Sequence, residues 1–239
     1  MINFYCIHKQ DDSNSQDPLD DAINSGKKFG INVIPYAGIY SNIDNIINEE
    51  KLFVNPSGAH KVNRRGKGVL GCFLSHYFLW KKSVKENRPI GVLEYDAIFI
   101  KKLPNNILEL FDNYLNLDFT RHTHLGLSTN GKEYIAQIEL ESENKIEVNT
   151  LKSKRTRDHK FKYINNNHIK GAFGYIIKPT GATKLIQATK DHGILPADVQ
   201  PNLMYCNIQY TKPSVVMLNP KGIFNRFGGS HTNTGHLSS

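Results

Sequence analysis

The order of strand-like and helix-like segments, punctuated by Gly and Pro, constrains this chain more than any other feature. Residues 2–7 read as a first β-strand, followed by a polar loop rich in Asp, Asn and Ser. Asp17-Pro18 then offers an N-cap and a first-turn proline, and Gly30 a stop, for a helix of about a dozen residues. Asn32 to Tyr36 reads as a second strand. Strand, helix and strand at this spacing form a βαβ unit. The expected fold is therefore α/β, with a mostly parallel central sheet flanked by helices.

The alternation continues. In 68–87, Phe73, Tyr77, Trp80 and Val84 recur at helical intervals, and Arg88-Pro89 ends the stripe. Ile90-Gly91-Val92-Leu93 is a short apolar run, as a buried parallel strand requires. The pattern next predicts a helix around 105–117, a strand near 124–127 and a hairpin around the acidic turn 141–145. Ala172 to Ile177 reads as a strand, Pro179-Thr180 opens a helix closed by Gly193, and Ser214 to Leu218 is a late strand. No repeat or linker divides the chain, so 1–239 is read as one domain ending in a flexible polar tail, 228–239.

No run approaches the roughly 18–20 apolar residues of a membrane span, and Met1 to Ile7 lacks the basic leader of a signal peptide. The expected location is cytoplasmic. Cys6, Cys72 and Cys206 are far apart and set in apolar sequence, which predicts buried free thiols. Charge is asymmetric. Residues 151–239 carry ten Lys and three Arg against Asp158, Asp191 and Asp198, a net +10 within a chain of +8. The densest run includes Lys152, Lys154, Arg155, Arg157, Lys160 and Lys162, with a second cluster at Lys61, Arg64, Arg65 and Lys67. Clustered cations attract phosphates, so a polyanionic partner or a merely solvated basic loop both fit.

The strongest local chemistry lies in Val92-Leu93-Glu94-Tyr95-Asp96. Carboxylates at i and i+2 share one side of an extended backbone. They repel unless a cation sits between them, and a divalent ion with hard oxygen ligands satisfies both. Open α/β sheets bind ligands at the carboxyl ends of their strands, where this pair falls.

Four blocks in order carry a resemblance. Gly71-Cys72-Phe73-Leu74-Ser75-His76 resembles the Gly-Cys-x-x-Ser-His signature of glycosyltransferase family 25. Leu93-Glu94-Tyr95-Asp96 resembles that family's Glu-Asp-Asp metal and donor motif, with Tyr95 in place of the middle acid. Gly171-Ala172-Phe173-Gly174-Tyr175-Ile176-Ile177 and Leu195-Pro196-Ala197-Asp198 resemble later blocks. The family includes bacterial lipooligosaccharide and procollagen galactosyltransferases. The family's N-terminal Asn-Leu and Arg signature is barely recognisable in Cys6-Ile7-His8-Lys9.

The resemblance implies a GT-A-like glycosyltransferase, inverting, with a nucleotide sugar (a UDP-sugar) as donor and Mn2+ or Mg2+ as cofactor. It divides the chain into a nucleotide-sugar half, 1–100, and an acceptor half, 101–227. Glu94 and Asp96 would hold the metal, with His231 of the tail as a third ligand. Gly71, Ser75, His76 and Tyr95 would join them in donor binding, although a satisfied core histidine is the default reading of His76. Asp198 would be the general base that deprotonates the acceptor hydroxyl. Gly171, Phe173, Lys154, Arg155 and Arg157 would line the acceptor. The acceptor is a lipooligosaccharide-type glycan or, given the basic C-terminal region, DNA carrying hydroxymethylated bases. Tyr95 also leaves open a scaffold that binds sugars or polyanions without catalysis.

Overall fold

A computed structural model describes residues 2–56, 66–118, 145–152 and 173–219. Strand β1 (Asn3–His8) leads into helix α1 (Ser13–Lys28) and strand β2 (Asn32–Ala37). The helix begins earlier than Asp17-Pro18 because Asp12 caps it, accepting from the Asn14 N–H at 3.0 Å. Pro18 sits inside the helix, at the loss of one ladder bond. Gly30, at φ +72°, supplies the expected stop.

Helices α2 (Ile43–Glu49) and α3 (Lys67–Glu86) precede β3 (Ile90–Glu94) and β4 (Ala97–Phe99). The helix expected at 105–117 is instead a 3-10 turn, Ile107–Glu109, followed by strand β5 (Tyr114–Asn116). Then come β6 (Glu147–Thr150), β7 (Gly174–Ile177), α4 (Pro179–His192), β8 (Ile208–Lys212) and β9 (Val216–Leu218). The strand near 124–127, the turn at 141–145 and most of the basic run after Lys152 lie outside the described residues.

Seven strands form the central sheet in the order β2-β1-β3-β7-β5-β8-β6. β1, β2, β3, β5 and β8 run one way, while β7 and β6 run antiparallel to their neighbours. Alternation along each strand divides the core. Tyr5, Ile7, Ile90, Val92, Tyr114, Tyr175 and Ile177 meet α3 and α4 on one face. Phe4, Cys6, Leu93, Leu115 and Ile176 meet α1 and the small β4–β9 ribbon on the other. At roughly 1.5–3 kcal/mol per fully buried large apolar side chain, these two layers dominate the stability. The α/β fold with helices flanking a mostly unidirectional sheet is the one expected from the alternation.

Candidate active site

The parity that sorts the core also aims Glu94. Ile90 and Val92 face α3, so Glu94, two residues on, faces it too. There it meets His76, whose Nε2 lies 3.6 Å from Glu94 Oε1. His76 is completely buried, and burial pulls its pKa down to about 4, only partly opposed by the charge of Asp198. At neutral pH the contact is therefore between a neutral imidazole and a carboxylate. The imidazole Nδ1 is 2.8 Å from Tyr175 Oη, which also accepts from Trp80 Nε1 at 2.9 Å.

Cys72, one helical turn before His76, joins this group: one ligand atom from each of Cys72, His76 and Glu94 lies within 4.8 Å of the others. Burial, then the charges of Glu94, Asp198 and Asp96, push the Cys72 thiol well up. Those same couplings put Asp198, in the turn after α4, within electrostatic reach of both Cys72 and His76. Of the free thiols, Cys6 and Cys206 are buried and Cys72 partly so.

Asp96 does not stand beside Glu94 on an extended strand, as its spacing suggests. The chain turns at Tyr95-Asp96 before β4 begins. Both carboxylates still act on Cys72 and Cys6, which places them at one end of the sheet. The Asn219 N–H donates to the Asp96 carbonyl at 2.7 Å, which sets Asn219 beside the motif. Tyr95 packs its ring towards the α1 side of the core.

The Gly-Cys-x-x-Ser-His block has a structural logic. A Cβ on Gly71 would sit 2.2 Å from the Ile39 carbonyl oxygen, so only glycine admits the 38–42 loop this close to α3. Ser75 Oγ accepts from the Ile39 N–H and donates to the Gly71 carbonyl, both at 2.8 Å. Gly71 and Ser75 therefore dock a loop, and that loop carries Tyr40. Burial, then the charges of Cys72, Tyr95 and Glu94, raise the Tyr40 phenol, and the residue is 44% exposed. Gly71→Ala is expected to destabilise the chain by about 1–3 kcal/mol, the usual effect of overpacking. Urea denaturation checks it, and an unchanged midpoint would contradict the docking role.

A carboxylate that sequence reasoning missed lies close by. Asp118 follows β5, is buried, and accepts from the Phe173 N–H at 2.9 Å. Asn116 Oδ1 accepts from the Asp118 N–H at 3.0 Å. Burial pushes the Asp118 carboxyl up to about 7; the bonds from Phe173 and Asn116 oppose this, and Glu94 reinforces it. Phe173 thus bridges two acids, because its carbonyl also accepts from the Glu94 N–H at 2.9 Å. Gly171, Lys154, Arg155, Arg157 and His231 lie outside the described residues. A hollow of about 380 Å3 opens beside the 38–42 loop, but Glu94, Asp96 and Asp198 do not line it.

Residues 15–200 match the family described as Glycosyltransferase family 25 (LPS biosynthesis protein). The chain belongs to glycosyltransferase family 25. Within curated proteins, Procollagen galactosyltransferase 1 of Danio rerio is 26% identical over 144 residues. That covers 58% of this chain and 20% of the relative, so the chain spans about a fifth of that protein's length. Of solved structures, apo mouse xyloside xylosyltransferase 1 aligns with a TM-score of 0.35 at 13% identity. The alignment covers 84% of this chain and 79% of that one. No described helix is long and apolar enough to cross a membrane.

Proposed function

We propose that this family 25 chain moves a sugar from a nucleotide sugar, of the UDP type, to a hydroxyl group, with inversion and with the help of Mn2+ or Mg2+. The observation that carries the reading is Glu94 grouped with Cys72 and His76 at the end of β3, their ligand atoms within 4.8 Å of one another, with the charges of Asp96 and Asp198 also acting on the Cys72 thiol. The donor set fits a hard cation: carboxylate oxygens are on offer, and the nearby Cys72 is held as a thiol. When bound, the cation would neutralise the charge on the departing diphosphate. Glu94 and Asp96 would hold it. His231 would be a third ligand.

Tyr40 and Tyr95 would bound the donor pocket, with residues 1–100 forming the nucleotide-sugar half and 101–227 the acceptor half. Asp198 would take the proton of the acceptor hydroxyl as it attacks the anomeric carbon. Phe173, Gly171, Lys154, Arg155 and Arg157 would contact the acceptor. Asp198→Asn should reduce transfer by about 100-fold or more, the range for removing a general base, while donor hydrolysis persists. Equal transfer by the variant would remove Asp198 from that role.

The family description and the relative's name favour a glycan acceptor. The +10 of residues 151–239 supports a second reading, DNA carrying hydroxymethylated bases. Retention on DNA that falls steeply with salt, together with sugar transfer to it, would select DNA. Salt-insensitive, sugar-selective binding would select the glycan.

A further inference from the structure

We infer that His76 is a positioning residue: a Trp80–Tyr175–His76 relay fixes its proton on Nε2, so that it serves Glu94 as a hydrogen-bond donor and is not a metal ligand. The argument is one of counting protons. The Trp80 indole N–H can only donate, and it donates to Tyr175 Oη at 2.9 Å. Tyr175 therefore accepts on that side and must place its own proton elsewhere. It is 1% exposed, and buried hydroxyls keep their protons bonded. The polar atom offered to it is His76 Nδ1, at 2.8 Å.

Nδ1 is then the acceptor, and the neutral ring carries its proton on Nε2. The Tyr175 ring lies nearly parallel to those of His76 and Tyr114, at 19° and 25°. Nε2 is buried, has no hydrogen-bond partner among the described residues, and lies 3.6 Å from Glu94 Oε1. Glu94, its side chain 25% exposed, is the carboxylate that faces this N–H.

The cluster of Cys72, His76 and Glu94 has the spacing of a site for a metal such as Zn2+. The relay argues against that use. A metal on Nε2 would send the proton to Nδ1, leaving Tyr175 facing two donors with no acceptor for its own hydroxyl among the described residues. The ring instead braces Glu94 from the core side, leaving the carboxylate to meet its ligand in a fixed orientation. The donor role towards Glu94 rests on the proposed function of that residue; the tautomer does not.

The test begins with long-range 1H–15N correlation on the 15N-histidine-labelled full chain, with His76 assigned by its loss in His76→Gln. The expected spectrum has a protonated Nε2 and an unprotonated Nδ1, unchanged by equimolar Zn2+, and Tyr175→Phe mixes the two tautomers. Calorimetry of Mn2+ binding in the presence of UDP gives the second reading. His76→Gln, whose amide nitrogen stands where Nε2 was, should bind within about threefold of wild type. His76→Leu should bind about 10- to 100-fold more weakly, the range for removing a group that orients a metal ligand.

A proton on Nδ1 in the wild type, or a Zn2+-induced change at Nε2, overturns the inference without any variant. Equal affinity of the Gln and Leu variants also overturns it. If Glu94→Gln binds Mn2+ and UDP like wild type, the role of Glu94 itself fails. The brace then has no function, although the tautomer stands.

Discussion

Glu94→Gln and Asp96→Ala are each expected to lower nucleotide-sugar turnover about 1,000-fold. Under the proposed function each variant would lose a carboxylate that holds the cation, and the cation is what offsets the charge developing on the diphosphate. Electrostatic stabilisation of this kind is worth several kcal/mol, and each ~1.4 kcal/mol is a factor of ten in rate. The fold should survive in both cases. Glu94 is partly exposed at a strand end, and Asp96 engages the Asn219 N–H through its main-chain carbonyl. Circular dichroism and the denaturation midpoint, measured beside the kinetics, separate loss of chemistry from loss of structure. Turnover within threefold of wild type in either variant would remove that residue from the site.

Asp118→Asn should expose a pH dependence that Asp118 offsets in the wild type. Asp118 titrates near 3.8 in the unfolded chain and near 7 in the folded one. Between those values the folded protein holds a proton that the unfolded chain has released, so stability falls as pH rises. Asn keeps an acceptor for the Phe173 N–H but does not titrate. The stability difference, Asp118→Asn minus wild type, should therefore grow by about 3–4 kcal/mol from pH 4 to pH 7, at ~1.4 kcal/mol per unit.

His76 works in the opposite sense in the metal-free protein. Its pKa falls from 6.5 unfolded to about 4 folded, so the unfolded chain binds the extra proton in that window and stability rises with pH. The two slopes nearly cancel in the wild type between pH 4 and 6.5, and the Asp118→Asn variant exposes the histidine alone. Urea titrations at pH 4.5, 5.5, 6.5 and 7.5 read this directly. A difference that stays constant across them would show that Asp118 is not buried as a carboxyl.

Both results depend on features of unequal legibility. The helix carrying Gly71 to His76 and the strand ending at Glu94 are plain in the spacing of apolar residues, because both are long or fully buried. The roles of Gly71 and Ser75 are not, since what they meet is Ile39, more than thirty residues earlier in the chain. Asp118 was hidden for a local reason. Ile107, Phe111 and Leu115 recur at helical intervals, and the resulting helix would have ended before the acid. In the fold the same residues bury one side of a 3-10 turn and a short strand against the α1 face. An acid at a strand end is a site candidate, whereas an acid after a helix is a solvated turn.

The Glu94–Asp96 pair shows the same limit. Alternation along a strand places Glu94 towards α3, but it does not extend through the turn at Tyr95-Asp96. Asp198 was legible only through the family's block pattern. Its link to the other acids runs through charge on Cys72 and His76, which lie on a different helix.

The most direct test of sugar-nucleotide chemistry at Glu94 is nucleotide release from a panel of nucleotide sugars, with and without Mn2+, by the wild-type chain. Manganese-dependent release from at least one donor is the result expected. No release from any donor, together with no metal-dependent nucleotide binding by calorimetry, would contradict the transferase reading of the site.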